Sequence, residues 1–214
     1  MKSVLVIGAG RFGRYICKKL YEMGHQIMIV DQDEERIHKV LPYVTGAQIG
    51  NSTNSAFLES LGISEFDLCI VAIGDNFLSS LETTFLLDEL GAKKIVSRAT
   101  SSSQEKFLLR NGADEVVFPE RQMGNWTAIR FISDNISNYI ELSDDYSIYE
   151  VYVPAAWDNK KIGEIDIRRK YKINILGVKN GTMNMDISND TLLRRGETML
   201  VLGKTQVIQK LFGL

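Results

Sequence analysis

The chain has 214 residues, with 25 Lys and Arg against 27 Asp and Glu, so its formal charge is −2. That balance excludes a strong electrostatic drive toward nucleic acid or an anionic membrane, and no nucleic-acid partner is expected. At 44% hydrophobic and 24% charged residues it has the composition of a packed globular protein, in one large domain or two small ones.

The first stretch, Ser3–Asp31, carries the strongest signal. Val4–Ile7 is a short, β-branched apolar run and reads as a buried parallel strand. It meets Gly8-Ala9-Gly10-Arg11-Phe12-Gly13, a G-x-G-x-x-G loop, and then a helical pattern with Phe12, Ile16, Leu20 and Met23 on one face, stopped by Gly24. Ile27–Val30 is a second strand, closed by Asp31. Each glycine has a mechanical role: Gly8 permits the turn, Gly10 clears room for a phosphate, and Gly13 lets helix and strand approach. The helix N-terminus attracts phosphate through free N–H groups and its dipole. Arg11 there can hold a terminal phosphate bidentately. Asp31 can accept bonds from ribose hydroxyls and would repel a 2′-phosphate, which disfavours NADP.

Further along, helices are expected over 34–41, from after Gly50-Asn51-Ser52-Thr53 to Leu61, over 77–90 and over 104–110, with strands ending at Ile49, Ile73, Ser97 and Phe118. Six strands alternating with helices predict an α/β fold, a Rossmann-like doubly wound parallel sheet. Ligands of such sheets bind beyond the carboxyl ends of the strands. That rule gathers Gly8–Gly13, Asp31, Asn51, Ser52, Ile73, Gly74, Arg98 and Glu120 into one crevice. The pattern from about Gln122 to Ser137 is helical again, with Trp126, Ile129, Ile132 and Ile136 in phase, and reads as a crossover helix exporting an apolar face. The expected organisation is residues 1–120 as a nucleotide-binding lobe, 121–138 as a crossover helix and hinge, and 139–214 as a small α+β lobe. In that lobe Ser147–Val153, Asn174–Val178, Met183–Ile187 and Met199–Leu202 read as strands, and Ile162–Tyr171 and Gln206–Leu211 as helices.

Cys17 and Cys69 have no metal-binding spacing with His25 and His38, and read as buried thiols in a reducing compartment. Apolar runs such as Leu68–Ile73 fall far short of a bilayer span, and the N-terminus lacks a signal-peptide pattern. A role at a membrane is therefore expected to go through a partner.

An NAD-dependent oxidoreductase, or a redox sensor, is the alternative such a sheet raises. Hydride transfer needs a proton donor or acceptor near the nicotinamide. His25 enters the second strand at the end of the sheet opposite the crevice, and His38 lies on a peripheral helix. Tyr15 and Lys19 match the Tyr-x-x-x-Lys spacing of short-chain dehydrogenases but sit on the first helix, away from the nicotinamide end. No Ser/His/Asp or Cys/His constellation follows, and the second lobe has no histidine or cysteine. The expectation is a protein without catalysis.

Taken together, VIGAGRFG, Asp31, GNSTN at 50–54, VAIGDN at 71–76, the GADEVVFPE run ending at Glu120 and RQMG at 121–124 resemble the RCK/KTN family, cytoplasmic regulators of potassium channels and transporters. YIELSDDYSIYEVYVP and IGEIDIRRKYKINILGVK are similar to that family's hinge and C-terminal lobe, so the likeness runs the length of the chain. Within the family it is nearest the KtrA-type (TrkA-like) subunits. That resemblance implies a cytoplasmic, membrane-peripheral, ligand-gated subunit acting on a KtrB/TrkH-like potassium-translocating protein, its dimers closing into an octameric gating ring. It implies ATP and ADP as ligands, with NAD and NADH also accepted. Gly8–Gly13 and Arg11 would then hold phosphates, Asp31 the ribose, Asn51, Ser52, Ile73 and Gly74 the adenosine. Arg98 and Glu120 would lie toward the phosphates, Glu120 taking part in a divalent-cation site. An acid is usual at Asn51, which leaves the adenine contacts open. The DIRRKYKINI segment is similar to the part of the C-lobe that binds cyclic di-AMP, with Arg168 on phosphate, Asn174 on an adenine or backbone edge, and Ile167 and Ile175 packing on bases. A solvated basic helix beside a buried strand is the alternative there.

Overall fold

A computed structural model describes residues 1–143 and 145–213; Asp144 and Leu214, both assigned to the second lobe, lie outside the described residues. The chain divides into two compact units, Met1–Arg121 and Gln122–Leu214.

The first unit runs β1 (Ser3–Ile7), α1 (Arg11–Glu22), β2 (Gln26–Asp31), α2 (Glu34–His38), β3 (Gly46–Ile49), α3 (Ser55–Ser60), β4 (Leu68–Val71), α4 (Phe77–Glu89), β5 (Ile95–Arg98), α5 (Ser102–Arg110) and β6 (Glu115–Val117), and ends in the first residues of α6 (Pro119–Ile132). All six strands pair parallel in the order β3-β2-β1-β4-β5-β6. The strand order reverses between β1 and β4, whose carboxyl ends therefore face a crevice. The sheet is apolar on both faces, as a parallel sheet between helices must be. Leu5, Ile7, Val30, Cys69, Val71 and Ile95 pack on one side, and Val4, Val6, Cys17, Ile27 and Ile29 on the other. Burial pushes both thiols, Cys17 and Cys69, up to about 12, so neither ionises near neutrality.

Local chemistry sets the helix starts. Asp33, Asn54, Asn76 and Ser101 each accept a backbone N–H from the first turn of α2, α3, α4 and α5. α1 differs: its cap is Gly10, which has no side chain to offer. Gly8 has φ +104°, which L side chains rarely adopt, and a Cβ on Gly13 would stand 1.9 Å from the Gly8 carbonyl oxygen. The turn and the α1 packing thus need the glycines where they stand.

The second unit contains the rest of α6, then β7 (Ile136–Glu141), β8 (Tyr146–Tyr152), β9 (Lys160–Lys161), α7 (Ile162–Ile165), α8 (Ile167–Tyr171), β10 (Asn174–Asn180), β11 (Thr182–Asn184), β12 (Leu192–Leu193), β13 (Thr198–Lys204) and α9 (Thr205–Phe212). Five strands form an antiparallel sheet, β11-β10-β13-β8-β7, and β12 pairs with β9. Its core joins Tyr149, Val151, Trp157, Ile173, Leu193, Val201 and Phe212. Tyr139 stacks on Tyr149 with centroids 5.5 Å apart.

Several boundaries differ from the sequence reading. The helix expected to reach Ser137 ends at Ile132. Asn135 turns the chain, its N–H donating to Ser133 Oγ and its side-chain amide to the Phe212 carbonyl, and Ile136 opens β7 fully buried. β7 itself escaped the sequence because it is an edge strand whose register shifts between Ile136 and Asn138, which spoils the alternation. The expected stripe on α6 is divided: Trp126 and Ile129 pack on the second unit's own core, whereas Ile132 is 78% exposed. α2 stops at His38, short of Leu41, and Pro42 sits in a 3₁₀ turn over Leu41–Tyr43. Asp166, at φ +51°, breaks the single helix expected over 162–171 into α7 and α8.

Candidate functional site

The loops at the carboxyl ends of the first unit's strands enclose a cleft of about 1230 Å³. From the sequence-derived set it brings together Gly8, Gly10, Arg11, Phe12, Asp31, Ser52, Ile73, Gly74, Arg98 and Glu120. Ala9, Gly13 and Asn51 are not on its walls. Ala9 and Gly13 shape the turn from behind. Asn51 Oδ1 accepts from Gln32 Nε2 and from the N–H and hydroxyl of Thr53, which folds the loop after β3.

The floor is the turn between β1 and α1. Its first-turn N–H groups meet no capping side chain, so they are free to donate into the cleft. Arg11 is exposed beside them. Asp31 is tied to the same turn: one carboxylate oxygen accepts the Ala9 N–H at 2.6 Å and the other the Asp33 N–H at 2.9 Å. A carboxylate oxygen has a second lone pair, so each can still accept from a ribose hydroxyl.

At the far side Arg98 bonds Glu120 through Nη2, and its guanidinium lies 5.3 Å from the centre of the Phe12 ring. A Cβ on Gly74 would stand 2.5 Å from Arg98 Nη1, so glycine is what admits the arginine. Burial alone would raise the Glu120 carboxyl; its own backbone N–H and the Arg98 guanidinium outweigh that and hold it below the usual range. Glu120 is thus an anion at neutral pH, paired with a cation that phosphate could also claim.

Sequence reasoning missed part of the wall. Gln32, Asp33 and Arg36 follow Asp31 into the cleft, and Asp75, Asn76 and Ser79 follow Gly74. Arg36 sits between Asp33 (3.3 Å) and Asp75 (3.6 Å). The same strand-end rule extends to all six, because each continues a loop already chosen. His25 stands where it was expected, its Nδ1 accepting the Lys2 N–H beside the amino end of β1, and His38 is exposed on α2. Neither enters the cleft. No group of three or more His, Cys, Asp and Glu is placed to hold a metal among the described residues.

In the second unit Arg168, Arg169, Lys172 and Asn174 line a shallow depression of about 500 Å³. Arg168 and Asn174 therefore do meet. Ile167 is buried in the core instead, and Ile175 packs half-buried against that core.

A parallel sheet with a glycine turn, an acid after β2 and a polar cleft at the strand ends defines a Rossmann-like domain, here followed by a second α+β unit. Residues 4–119 match the TrkA-N domain and residues 147–214 the TrkA-C domain, and the chain belongs to the RCK/KTN family built from them. It is 38% identical over 210 residues to Ktr system potassium uptake protein A of Bacillus subtilis (strain 168), covering 98% of this chain and 95% of that one. To Ktr system potassium uptake protein C of the same organism it is 41% identical over 180 residues, 84% and 81% of the two chains. Among solved structures, the GsuK channel bound to NAD superposes with a TM-score of 0.71 at 19% identity, and the GsuK RCK domain with 0.71 at 20%. Both alignments cover all of this chain but only 40% and 48% of those, so the likeness is one of fold. Among the described residues no helix is long and apolar enough to cross a membrane.

Proposed function

We propose that this chain is a non-enzymatic, cytoplasmic regulatory subunit of a potassium uptake system, binding an adenine nucleotide in the cleft of its first unit. The observation that carries the nucleotide is the uncapped start of α1 beside Arg11: four neighbouring helices satisfy their first turns with side chains, and this one keeps its donors for an anion. Family membership and the names of the relatives support potassium uptake. ATP and ADP are the ligands, with phosphates on α1 and ribose on Asp31. NAD or NADH is accepted as well, a reading supported by the GsuK neighbour bound to NAD.

Gating requires assembly. The chain works as dimers closing into an octameric ring on a KtrB/TrkH-like membrane subunit. Exposed Met123, Phe131 and Ile132 on α6 supply apolar surface for such contacts. Glu120 contributes one carboxylate toward a divalent cation, which takes six or more oxygens, so phosphates or a second copy would supply the remainder. The depression at Arg168 and Asn174 is the proposed seat of cyclic di-AMP, with Ile175 beside it.

Calorimetric titration of the full chain with AMP, ADP and ATP tests the reading. ADP and ATP should bind more tightly than AMP, with Arg11→Ala narrowing that gap and Asp31→Ala weakening all three alike. Equal affinity for AMP and ATP in the wild type would overturn the phosphate role of Arg11.

A further inference from the structure

The buried face of α4 is made mostly of hydroxyls. Ser80, Thr83, Thr84 and Leu87 form its inward stripe, none more than 1% exposed, while Leu78 and Phe85 of the same helix are 61% and 47% exposed. A helix that turns Ser and Thr inward and Leu and Phe outward is disfavoured unless the hydroxyls are hydrogen-bonded. Most of them are, and in two directions. Thr83 Oγ1 lies 2.8 Å from Ser52 Oγ, and Thr84 Oγ1 lies 2.8 Å from Ser97 Oγ. Thr84 also donates to the Ser80 carbonyl at 2.8 Å. A hydroxyl has one proton, so with Thr84 donating to Ser80 it is Ser97 that donates to Thr84.

The two partners serve different walls of the cleft: Ser52 lines it, and Ser97 is buried behind it next to Arg98, which lines it. Ser52 belongs to the loop after β3 that walls the side assigned to adenosine. Ser97 immediately precedes Arg98 on β5, the guanidinium assigned to phosphates. The first turn of α4, with Asn76 and Ser79, lines the cleft between them. Apolar packing of Leu87, Leu81 and Leu86 holds the helix against the sheet, and the directional hydrogen bonds add to what fixes its register.

We infer that Thr83 and Thr84 are positioning residues that fix the adenosine-side loop and the phosphate-side arginine to one rigid helix, setting the length of nucleotide the cleft reads. This inference rests on the nucleotide reading above. Thr83 acts through Ser52 on the adenosine end, and Thr84 acts through Ser97 on Arg98.

Titration of the full chain with AMP and ATP separates the two roles, using valine, nearly isosteric with threonine, and serine, which keeps the hydroxyl. Thr83→Val should weaken AMP and ATP by the same factor, about three- to tenfold for one buried hydrogen bond. Thr84→Val should weaken ATP by about that factor with AMP close to wild type. Thr83→Ser and Thr84→Ser should restore wild-type affinities. A valine variant that leaves both affinities unchanged, or equal losses for AMP and ATP in Thr84→Val that serine does not restore, would overturn the inference. If the valine variants fail to fold, Ser52→Ala and Ser97→Ala carry the same two expectations. Wild-type protein that binds neither nucleotide overturns the nucleotide reading and this inference with it. Wild-type binding with an unmoved AMP-to-ATP ratio in every variant overturns the inference alone.

Discussion

The two units bury similar side chains and reach opposite designs. In the first unit every strand runs the same way, so all the carboxyl ends, with the loops that follow them, gather on one edge of the sheet. One cleft collects residues from Gly8 to Glu120 because parallel pairing leaves them nowhere else to go. In the second unit the strands alternate in direction, and strand ends are shared between two edges. Its polar cluster, Arg168, Arg169, Lys172 and Asn174, comes from one short stretch around α8 rather than from many strands. Strand direction thus separates a site assembled from distant sequence from one assembled locally.

The comparison can be broken by damaging one unit and watching the other. Both tryptophans, Trp126 and Trp157, lie in the second unit, so their fluorescence reports that unit, whereas the nucleotide binding proposed for the first unit reports that one. Leu193→Ala should have the largest effect. Leu193 is fully buried although its strand, β12, is only two residues long. Truncating it should cost about 2–5 kcal/mol. Denaturant unfolding followed by tryptophan fluorescence should shift by that amount, with ATP affinity unchanged. A fall in affinity would mean that the units are not energetically separate.

Gly13→Ala should do the reverse, somewhat more weakly. Alanine in a helix is favoured over glycine by about 1 kcal/mol. Here its Cβ would meet the backbone carbonyl oxygen of Gly8 at 1.9 Å, and no rotamer relieves a backbone clash. The expected net loss is about 1–3 kcal/mol, seen as a lower far-ultraviolet unfolding midpoint and weakened ATP binding, with the tryptophan transition in place.

What the sequence revealed follows the same division. β1, the glycine turn, α1, β2 and Asp31 form one continuous run, so periodicity and spacing suffice to read them. The strand-end rule then reached Arg98 and Glu120 separately, but not their ion pair, which needs β5 and the start of α6 to be neighbours in space. The face of α4 was also hidden, because the partners of Thr83 and Thr84, Ser52 and Ser97, stand on other elements. In the second unit β8 and most of β13 alternate and were legible, while bulged β7 and two-residue β9 and β12 depend on their partners to be strands at all.

The smallest expected effect concerns acid. Glu105 on α5 receives two bonds from the Arg121 guanidinium, at 2.8 and 2.9 Å, both residues belonging to the first unit. The Arg121 hydrogen bonds hold the Glu105 carboxyl below its ordinary value. A depressed carboxylate contributes stability that is fully present above its unfolded value and lost as pH falls through the folded one. The first unit should therefore weaken below about pH 4.3, the ordinary glutamate value. Arg121 is 42% exposed, so water and salt screen the pair and the loss is small. Because many carboxylates titrate in this range, the diagnostic measurement is a difference: Glu105→Gln should lower the far-ultraviolet unfolding midpoint at pH 7 and converge with wild type by pH 3, and 1 M salt should shrink the gap at pH 7. Curves for wild type and variant that run parallel from pH 7 to pH 3 would show that the pair contributes nothing.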